Sequence, residues 1–420
     1  DIIKINKLLQ EYSVNKRFVY KKLIKILGKR KNDYLLRYNV AVIEQDLNFN
    51  LKAKENYKII IENQDNLKAM VNLYNIFIKE QNYSEALTLI ENVLKMDNKL
   101  EFAKKDLAFT LFKLKRIKES KDICKNLLKK DKKNTSVLNI LGLCYSEENE
   151  IKKSENIFKE ILSYENYNIA AINSLGRLSH EKRDSKNAEK YFLKALQINP
   201  NSHEVLNNIA GFYREEGFYD KGIDFYIKAL KISPKNEYIL NNLAKSYFDI
   251  GNLKQAKDYA VKALEINPQD GNIQKILSFI YLKNHEFDKG WSYFDGRLKL
   301  TDFAEKNSSI KSLRKKIYLG QNIKKNKKIL ILREQGVGDE LLYATMYNDV
   351  LINMPNILIE CDKRLLNLFK NSFRNYKNKF VSLGKISNDQ SKLNEFDNII
   401  YAGSLGKFYR KNTKDFIKTP

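Results

Sequence analysis

The chain has 420 residues, 43% apolar and 30% charged, which is enough for two or three folding units and excludes both a single small module and a wholly disordered polymer. Only 16 Gly and 5 Pro leave few breakers for many short strands, so helix is expected to dominate. Lys and Arg outnumber Asp and Glu by 76 to 51, a formal charge of +25, but the excess is Lys spread along every segment, and no specific nucleic-acid partner is expected from it.

Cys124, Cys144 and Cys361 stand far apart with no Cys-x-x-Cys or Cys/His spacing. They read as small core hydrophobes in a reducing, cytoplasmic setting rather than as disulfides or zinc ligands. His180, His203 and His285 sit at unrelated positions, so no metal site is expected. No apolar run approaches the ~18 residues needed to cross a bilayer. The sequence opens on Asp1 and stops at Thr419-Pro420, and truncation at both ends is compatible with that.

In chain order, residues 1–32 read as N-terminal capping helices, with Phe18, Leu23, Ile24 and Leu27 at helical spacing. A fixed period follows. Ile198-Asn199-Pro200, Ile232-Ser233-Pro234 and Ile266-Asn267-Pro268 recur every 34 residues. Counting Ile169 as position 1, small and bulky positions are met by Leu175, Gly176, Ala188, Phe192, Ala195 and Pro200. The next two units keep Leu206, Ala210, Tyr213, Gly222, Tyr226 and Ala229, then Leu240, Leu243, Ala244, Tyr247, Ala256 and Ala263. This pattern resembles the tetratricopeptide repeat (TPR). The frame projects back to weaker units at 135–168, 101–134 and 67–100, and to a degenerate one at 33–66 that needs a one-residue insertion. It runs forward to a last unit through Leu277, Tyr281, Gly290 and Phe294, giving about eight repeats over 33–304. Each helix pair cannot bury its apolar face alone, so stacking yields one core; the resemblance implies a right-handed α-solenoid whose concave groove takes a protein or peptide.

Position 5 is Asn139, Asn173, Asn207 and Asn241 in four successive units, and position 6 is Asn72, Asn208 and Asn242. Amides donate and accept, so such a ladder can hold the backbone of a bound peptide without demanding a sequence. It resembles the asparagine ladder of O-GlcNAc transferase. The chain is also rich in Asn throughout, which makes coincidence the competing explanation.

Residues 305–326 read as a basic linker: 311–328 carry Lys and Arg, Lys324, Lys325, Lys327 and Lys328 among them, without an acid. A solvated connection is expected, with phosphate or peripheral membrane contact as the alternative. From Lys327 the periodicity changes. Ile329–Leu332 is a short apolar run of the buried parallel-strand kind, followed by a helical pattern over Glu340–Ile352; further strands are expected at 356–361, 379–383 and 396–401, with a helix through Leu365, Leu366, Leu368 and Phe369. Strand–helix alternation predicts a parallel sheet of the Rossmann kind. Gly336 and Gly338 form a turn between strand and helix, but the third glycine of a dinucleotide fingerprint and the Walker pattern are both missing, so neither NAD nor a P-loop nucleotide is expected.

Glu-Gln-Gly-Val-Gly-Asp-Glu at 334–340, Ile-Glu-Cys-Asp at 359–362 and the stretch 396–410 resemble the start of the glycosyltransferases that follow TPR arrays in bacterial proteins, related to the heptosyltransferase and O-GlcNAc transferase GT-B group. The segment from Trp291 to Arg297 resembles their junction motif. The resemblance implies a mainly α protein: a TPR solenoid followed, over 327–420, by a partial α/β Rossmann-like domain matching the GT-B N-terminal half. It implies Asp339 as general base toward an acceptor hydroxyl, competing with a plain helix-cap role. Glu334, Gln335, Gly336, Gly338, Gly403 and Ser404 would form the acceptor loops. A nucleotide-sugar donor is implied for a full-length enzyme and none is expected to bind this stretch, because the second, donor-binding domain is not in it. A non-catalytic TPR scaffold is the alternative.

Overall fold

The computed structural model describes residues 8, 10, 15–299, 317–318, 327–334 and 336–416. Of the expected basic linker only Ile317 and Tyr318 fall within these; Lys324 and Lys325 lie outside them, as does Gln335. The chain divides into two compact units, Asp1–Pro200 and Asn201–Pro420.

The first unit opens with α1 (Lys16–Lys29), which buries Val19, Leu23 and Leu27. The apolar face runs through 19, 23 and 27, so Phe18 and Ile24, expected on it, are solvent-facing. Five helical hairpins follow: α2 (Tyr34–Asp46) and α3 (Asn50–Asn63), α4 (Leu67–Lys79) and α5 (Tyr83–Met96), α6 (Glu101–Lys113) and α7 (Ile117–Lys130), α8 (Thr135–Glu147) and α9 (Ile151–Tyr164), α10 (Ile169–Glu181) and α11 (Ser185–Ile198). Helix starts at 34, 67, 101, 135 and 169 show that the first hairpin is one residue shorter than the rest. The second unit carries three more: α12 (His203–Glu215) and α13 (Tyr219–Ile232), α14 (Glu237–Asp249) and α15 (Leu253–Ile266), α16 (Gly271–Lys283) and α17 (Phe287–Phe294).

Three local devices repeat. Asn or Asp side chains cap the first helix of most hairpins: Asp33, Asn66, Asn134, Asn168, Asn236 and Asp270 each accept the backbone N–H three residues on. Part of the asparagine excess is therefore capping. Within a hairpin the two helices approach closely at fixed positions. Gly142 and Gly176 lie under the rings of Phe158 and Phe192, and a Cβ on either glycine would come within 2.9 Å of ring carbons. Ser120 and Ser154 donate to the carbonyls of Ala108 and Gly142 across the same seam. Third, each turn between paired helices needs one left-handed residue. It is Gly217 and Gly251 in two hairpins but Asn48, Gln81, Lys115, Asn149, Arg183 and His285 in the others.

A side chain with a Cβ carries strain of about 1–2 kcal/mol in that conformation, against ~0.5–1 kcal/mol of extra chain entropy for glycine. Arg183→Gly is accordingly expected to raise the stability of the first unit by about 0.5–1 kcal/mol, and Gly217→Ala to lower that of the second by a similar amount. Urea titration followed by circular dichroism measures both.

After α17 a 3₁₀ turn (Asp295–Lys299) ends the described part of the array. Four strands, β1 (Ile329–Leu332), β2 (Ile357–Cys361), β3 (Phe380–Ser382) and β4 (Asn398–Tyr401), form one all-parallel sheet in the order β3-β2-β1-β4. The connecting helices are α18 (Val337–Ala344), α19 (Tyr347–Asn353), α20 (Leu366–Ser372) and α21 (Gln390–Asn394), with α22 (Gly406–Tyr409) after β4. The helix expected over 340–352 is broken in two at Thr345, whose carbonyl accepts from the Arg410 guanidinium at 2.7 Å. β1 reads Ile-Leu-Ile-Leu because both faces are covered: Ile329 and Ile331 pack with Tyr343, Tyr347, Val350 and Phe369, while Leu330 and Leu332 pack with Leu393, Phe396 and Ile399. β2 and β3 lie on one side of β1 and β4 on the other, so the order switches between β1 and β4. Cys124, Cys144 and Cys361 are buried free thiols.

Candidate functional site

Parallel α/β sheets place ligands at the carboxyl ends of the strands, beside the point where strand order switches. Here that point lies where β1 runs into Arg333 and Glu334 and β4 into Ala402, Gly403 and Ser404. A guanidinium occupies it. Arg297 Nε and Nη2 each donate to a Glu334 carboxylate oxygen at 2.7 Å. Nη2 also donates to Ser404 Oγ at 3.0 Å, and Nη1 to the Phe294 carbonyl at 2.9 Å. The Gly403 N–H adds a third donor to Glu334 at 2.5 Å. Asp295 accepts from Ser404 Oγ at 2.6 Å and from Lys407 Nζ at 2.5 Å. Burial works against the Arg297 charge, but Glu334 and Asp295 override it and hold the guanidinium above its ordinary value.

Glycine is required at two of these places. A Cβ on Gly403 would lie 2.5 Å from Glu334 Oε1 and 3.0 Å from an Arg297 nitrogen; one on Gly406 would lie 2.5 Å from the Trp291 ring. That ring is fixed in turn, since its Nε1–H donates to the Arg410 carbonyl at 2.7 Å, and Arg410 itself pairs with Asp349 at 2.7 Å.

Of the expected acceptor-loop residues, Glu334, Gly403 and Ser404 are thus buried together in this network, with both Glu334 oxygens taken. Gly336, Gly338 and Asp339 are separate from it. Among the described residues a Cβ on Gly338 would meet nothing within 4 Å, and one on Gly336 only Asp339 Oδ2 at 3.6 Å, so among them open space faces both. Asp339 Oδ2 accepts the Gly336 N–H at 3.1 Å, the helix-cap geometry. Behind this turn Arg333 pairs with Glu340 at 3.1 Å and with Asp362 at 2.7 Å, and Arg364 also pairs with Asp362. Burial pushes the Glu340 carboxyl up, whereas hydrogen bonds from Arg364 hold Asp362 well below the usual carboxylate range. Both arginines beside the turn are thus committed to carboxylates. Among the described residues no group of three or more His, Cys, Asp or Glu is placed to hold a metal.

The asparagines divide by role. Asn72 donates through Nδ2 to the hydroxyls of Tyr38 and Tyr57, both at 3.1 Å, bracing neighbouring helices. Asn242 Nδ2 donates to Asn207 Oδ1 at 3.1 Å, linking consecutive hairpins. The Oδ1 atoms of Asn139 and Asn241 are enclosed and, among the described residues, meet no donor. Asn173 and Asn208 are half-buried. Of the basic stretch, Lys327 pairs with Asp397 at 3.2 Å and Lys328 with Glu395 at 2.7 Å, which leaves them less charge to offer a phosphate or membrane. No described helix is long and apolar enough to cross a membrane.

Sequence reasoning missed the Arg297–Glu334 pair. The signal was present in the Trp291–Arg297 string beside the linker, but the partners lie 37 residues apart and no periodicity joins them.

The tetratricopeptide repeat family models match residues 169–202 and 201–269, and the model of the Psidin N-terminal TPR repeats region matches 68–175. No curated protein matches. Among solved structures, a tetratricopeptide repeat protein from Parabacteroides merdae is 17% identical over 55% of this chain and 91% of its own, with a TM-score of 0.40. The APC/C hetero-tetramer Cut9-Hcn1 is 13% identical, with 68% of this chain and 56% of that one covered and a TM-score of 0.48. The hairpins between residues 68 and 269 are tetratricopeptide repeats, an array suited to protein–protein interaction.

Proposed function

We propose that the array recognises a polypeptide and that the α/β part contributes the acceptor side of a GT-B-type sugar transferase, a Rossmann-like half built on β1–β4. The observation that carries the second part is the turn after β1: two glycines facing open space, followed by the Asp339 carboxylate, at the carboxyl end of a parallel strand. In this reading an acceptor hydroxyl approaches over Gly336 and Gly338, and Asp339 Oδ1, the oxygen not used by the cap, takes its proton. The nucleotide-sugar is held by a second domain.

Asp339→Asn keeps an acceptor for the Gly336 N–H while removing the base. In a chain that also carries the proposed donor-binding domain, transfer from a panel of UDP-, GDP- and ADP-sugars, read as nucleotide release, is expected to fall ~10²–10⁴-fold with the melting temperature unchanged. Equal activity in wild type and variant would remove Asp339 from the chemistry.

The burial of Glu334, Gly403 and Ser404 favours a second reading, in which these motif residues serve assembly and the chain is a non-catalytic scaffold. No nucleotide release with any sugar in the panel, by the wild type of the chain that carries the donor-binding domain, would favour it.

A further inference from the structure

Helix α1 differs in charge from the hairpins stacked after it. From Asn15 to Asn32 the sequence holds eight Lys and Arg and no Asp or Glu. Further along the first unit cations are matched by acids: Lys54 with Glu80, Lys115 with Glu147, Arg116 with Glu119, and Lys159 and Lys182 with Glu155. On α1 only the ends are matched in this way, Lys16 lying 3.9 Å from Asp46 and Arg30 3.7 Å from Asp33. Between them, among the described residues, Arg17, Lys21, Lys22, Lys25 and Lys29 pair with no carboxylate. Local stability does not account for this. Arg17, Lys21, Lys25 and Lys29 follow one another at spacings of four, where like charges repel, and Arg17 lies in the first turn, at the positive end of the helix dipole.

The same outward face carries apolar side chains. Val19, Leu23 and Leu27 take the buried stripe, and away from it Phe18 is 45% exposed, one to two turns from Lys21, Lys22 and Lys25. Lys22 Nζ stands 5.4 Å from the Phe18 centroid. Ile24, 37% exposed, lies at the edge of the arc. Apolar groups continue off the helix across Tyr20, whose ring centroid is 5.7 Å from that of Phe49. Leu51, in the first turn of α3, is 72% exposed, and Lys52 Nζ lies 5.8 Å from the Phe49 centroid. Ammonium groups and apolar tips thus alternate over α1 and the start of α3.

A lysine-rich helix face set with isolated apolar side chains suits the surface of an anionic bilayer, where cations meet lipid phosphates and carboxylates while apolar tips enter the headgroup boundary. With 14 residues α1 is too short to span a membrane. A single-stranded nucleic acid would be held by stacking on rings, but Ile24 and Leu51 offer a base no π-face, and four of the five unpaired cations are lysines, which cannot grip phosphate bidentately. We propose that α1 and the start of α3 form a docking surface for an anionic lipid bilayer, with Phe18, Ile24 and Leu51 entering the headgroup boundary and Arg17, Lys21, Lys25 and Lys29 facing the lipid charge. This surface is separate in sequence from the basic stretch 311–328, and the proposal is independent of both polypeptide recognition and sugar transfer.

The test is co-sedimentation of the full chain with vesicles of phosphatidylcholine alone and of phosphatidylcholine containing about one-third phosphatidylserine. The chain partitions onto the second and not the first, and added salt releases it. The triple substitution Lys21→Glu, Lys25→Glu and Lys29→Glu lowers the partition constant by roughly tenfold or more, and Phe18→Ser with Ile24→Ser by roughly fivefold or more, with the circular dichroism melt unchanged. The chain is basic throughout, so the same charge change is placed elsewhere as a control: Lys186→Glu, Lys190→Glu and Lys194→Glu, exposed on α11, leave partition within about twofold of wild type. No binding to the phosphatidylserine vesicles, or equal binding to both kinds, overturns the proposal. So does an equal loss from the α11 triple, which would assign the attraction to net charge, or a loss produced by Lys324→Glu with Lys325→Glu and not by the α1 triple, which would assign it to the basic stretch. If oligouridylate binds more tightly than the vesicles and loses affinity with the α1 triple, the face reads nucleic acid and the bilayer assignment is likewise overturned.

Discussion

Replacing Arg297 by Met is expected to destabilise the second unit by about 3–5 kcal/mol, the loss typical when one partner of a buried ion pair is removed. The penalty falls on Glu334. Asp295 keeps Ser404 Oγ and Lys407 Nζ as donors, whereas Glu334, fully enclosed, would keep only the Gly403 N–H. Native-state hydrogen exchange at the β1 and β4 amides is the appropriate measurement, because it reports the opening of this unit inside the intact chain. Removing both charges in Arg297→Met with Glu334→Leu is expected to restore most of the loss, since two charges taken from water and set against each other leave little net gain over well-packed apolar groups. Arg297→Lys is expected to fall between, because a single ammonium cannot serve two carboxylate oxygens, a hydroxyl and a carbonyl together. A loss below about 1 kcal/mol for Arg297→Met would show that the network contributes nothing beyond an exposed pair.

Gly406→Ala is expected to cost about 1–3 kcal/mol although it adds one methyl group. The new Cβ would meet Trp291 Cε2 and Cζ2 at 2.5 Å, and the indole cannot swing aside without giving up its bond to the Arg410 carbonyl. Trp291→Leu in the same chain makes room, so the two substitutions together are expected to cost less than their sum, a sign that urea titration of the four chains of the cycle measures directly. Gly338→Ala is the control. Among the described residues nothing stands within 4 Å of the new Cβ, and no left-handed backbone is imposed there, so stability is expected to stay level or rise with the better helix former.

The hairpins were legible because each depends on near-neighbour chemistry repeated at one spacing: small residues at the seam, a capping Asn, an apolar stripe. β1 was legible to the residue, since a strand covered on both faces must be apolar throughout. What the sequence concealed is non-local. Phe18 and Ile24 have the right spacing for a buried face, yet the phase of the helix is set by α2, which Val19, Leu23 and Leu27 pack beside. The carbonyl at the Thr345 break is met by Arg410, 65 residues later. Glu334, expected to orient an acceptor hydroxyl, belongs to a pair whose other half comes from the helical array; a motif shows which residues matter and leaves open whether they touch a ligand or one another. For Asp339, base and cap require the same residue at the same helix start, so position alone could not separate them.

The chain contains a single indole, and it is set against Gly406 with its N–H on a backbone carbonyl and the Phe294 ring edge-on at 5.4 Å. Excited near 295 nm, where tyrosine hardly absorbs, the protein therefore carries its own optical reporter of one joint. Any ligand, salt or substitution that pries the last hairpin from the sheet would register as a red shift in emission, with no label attached.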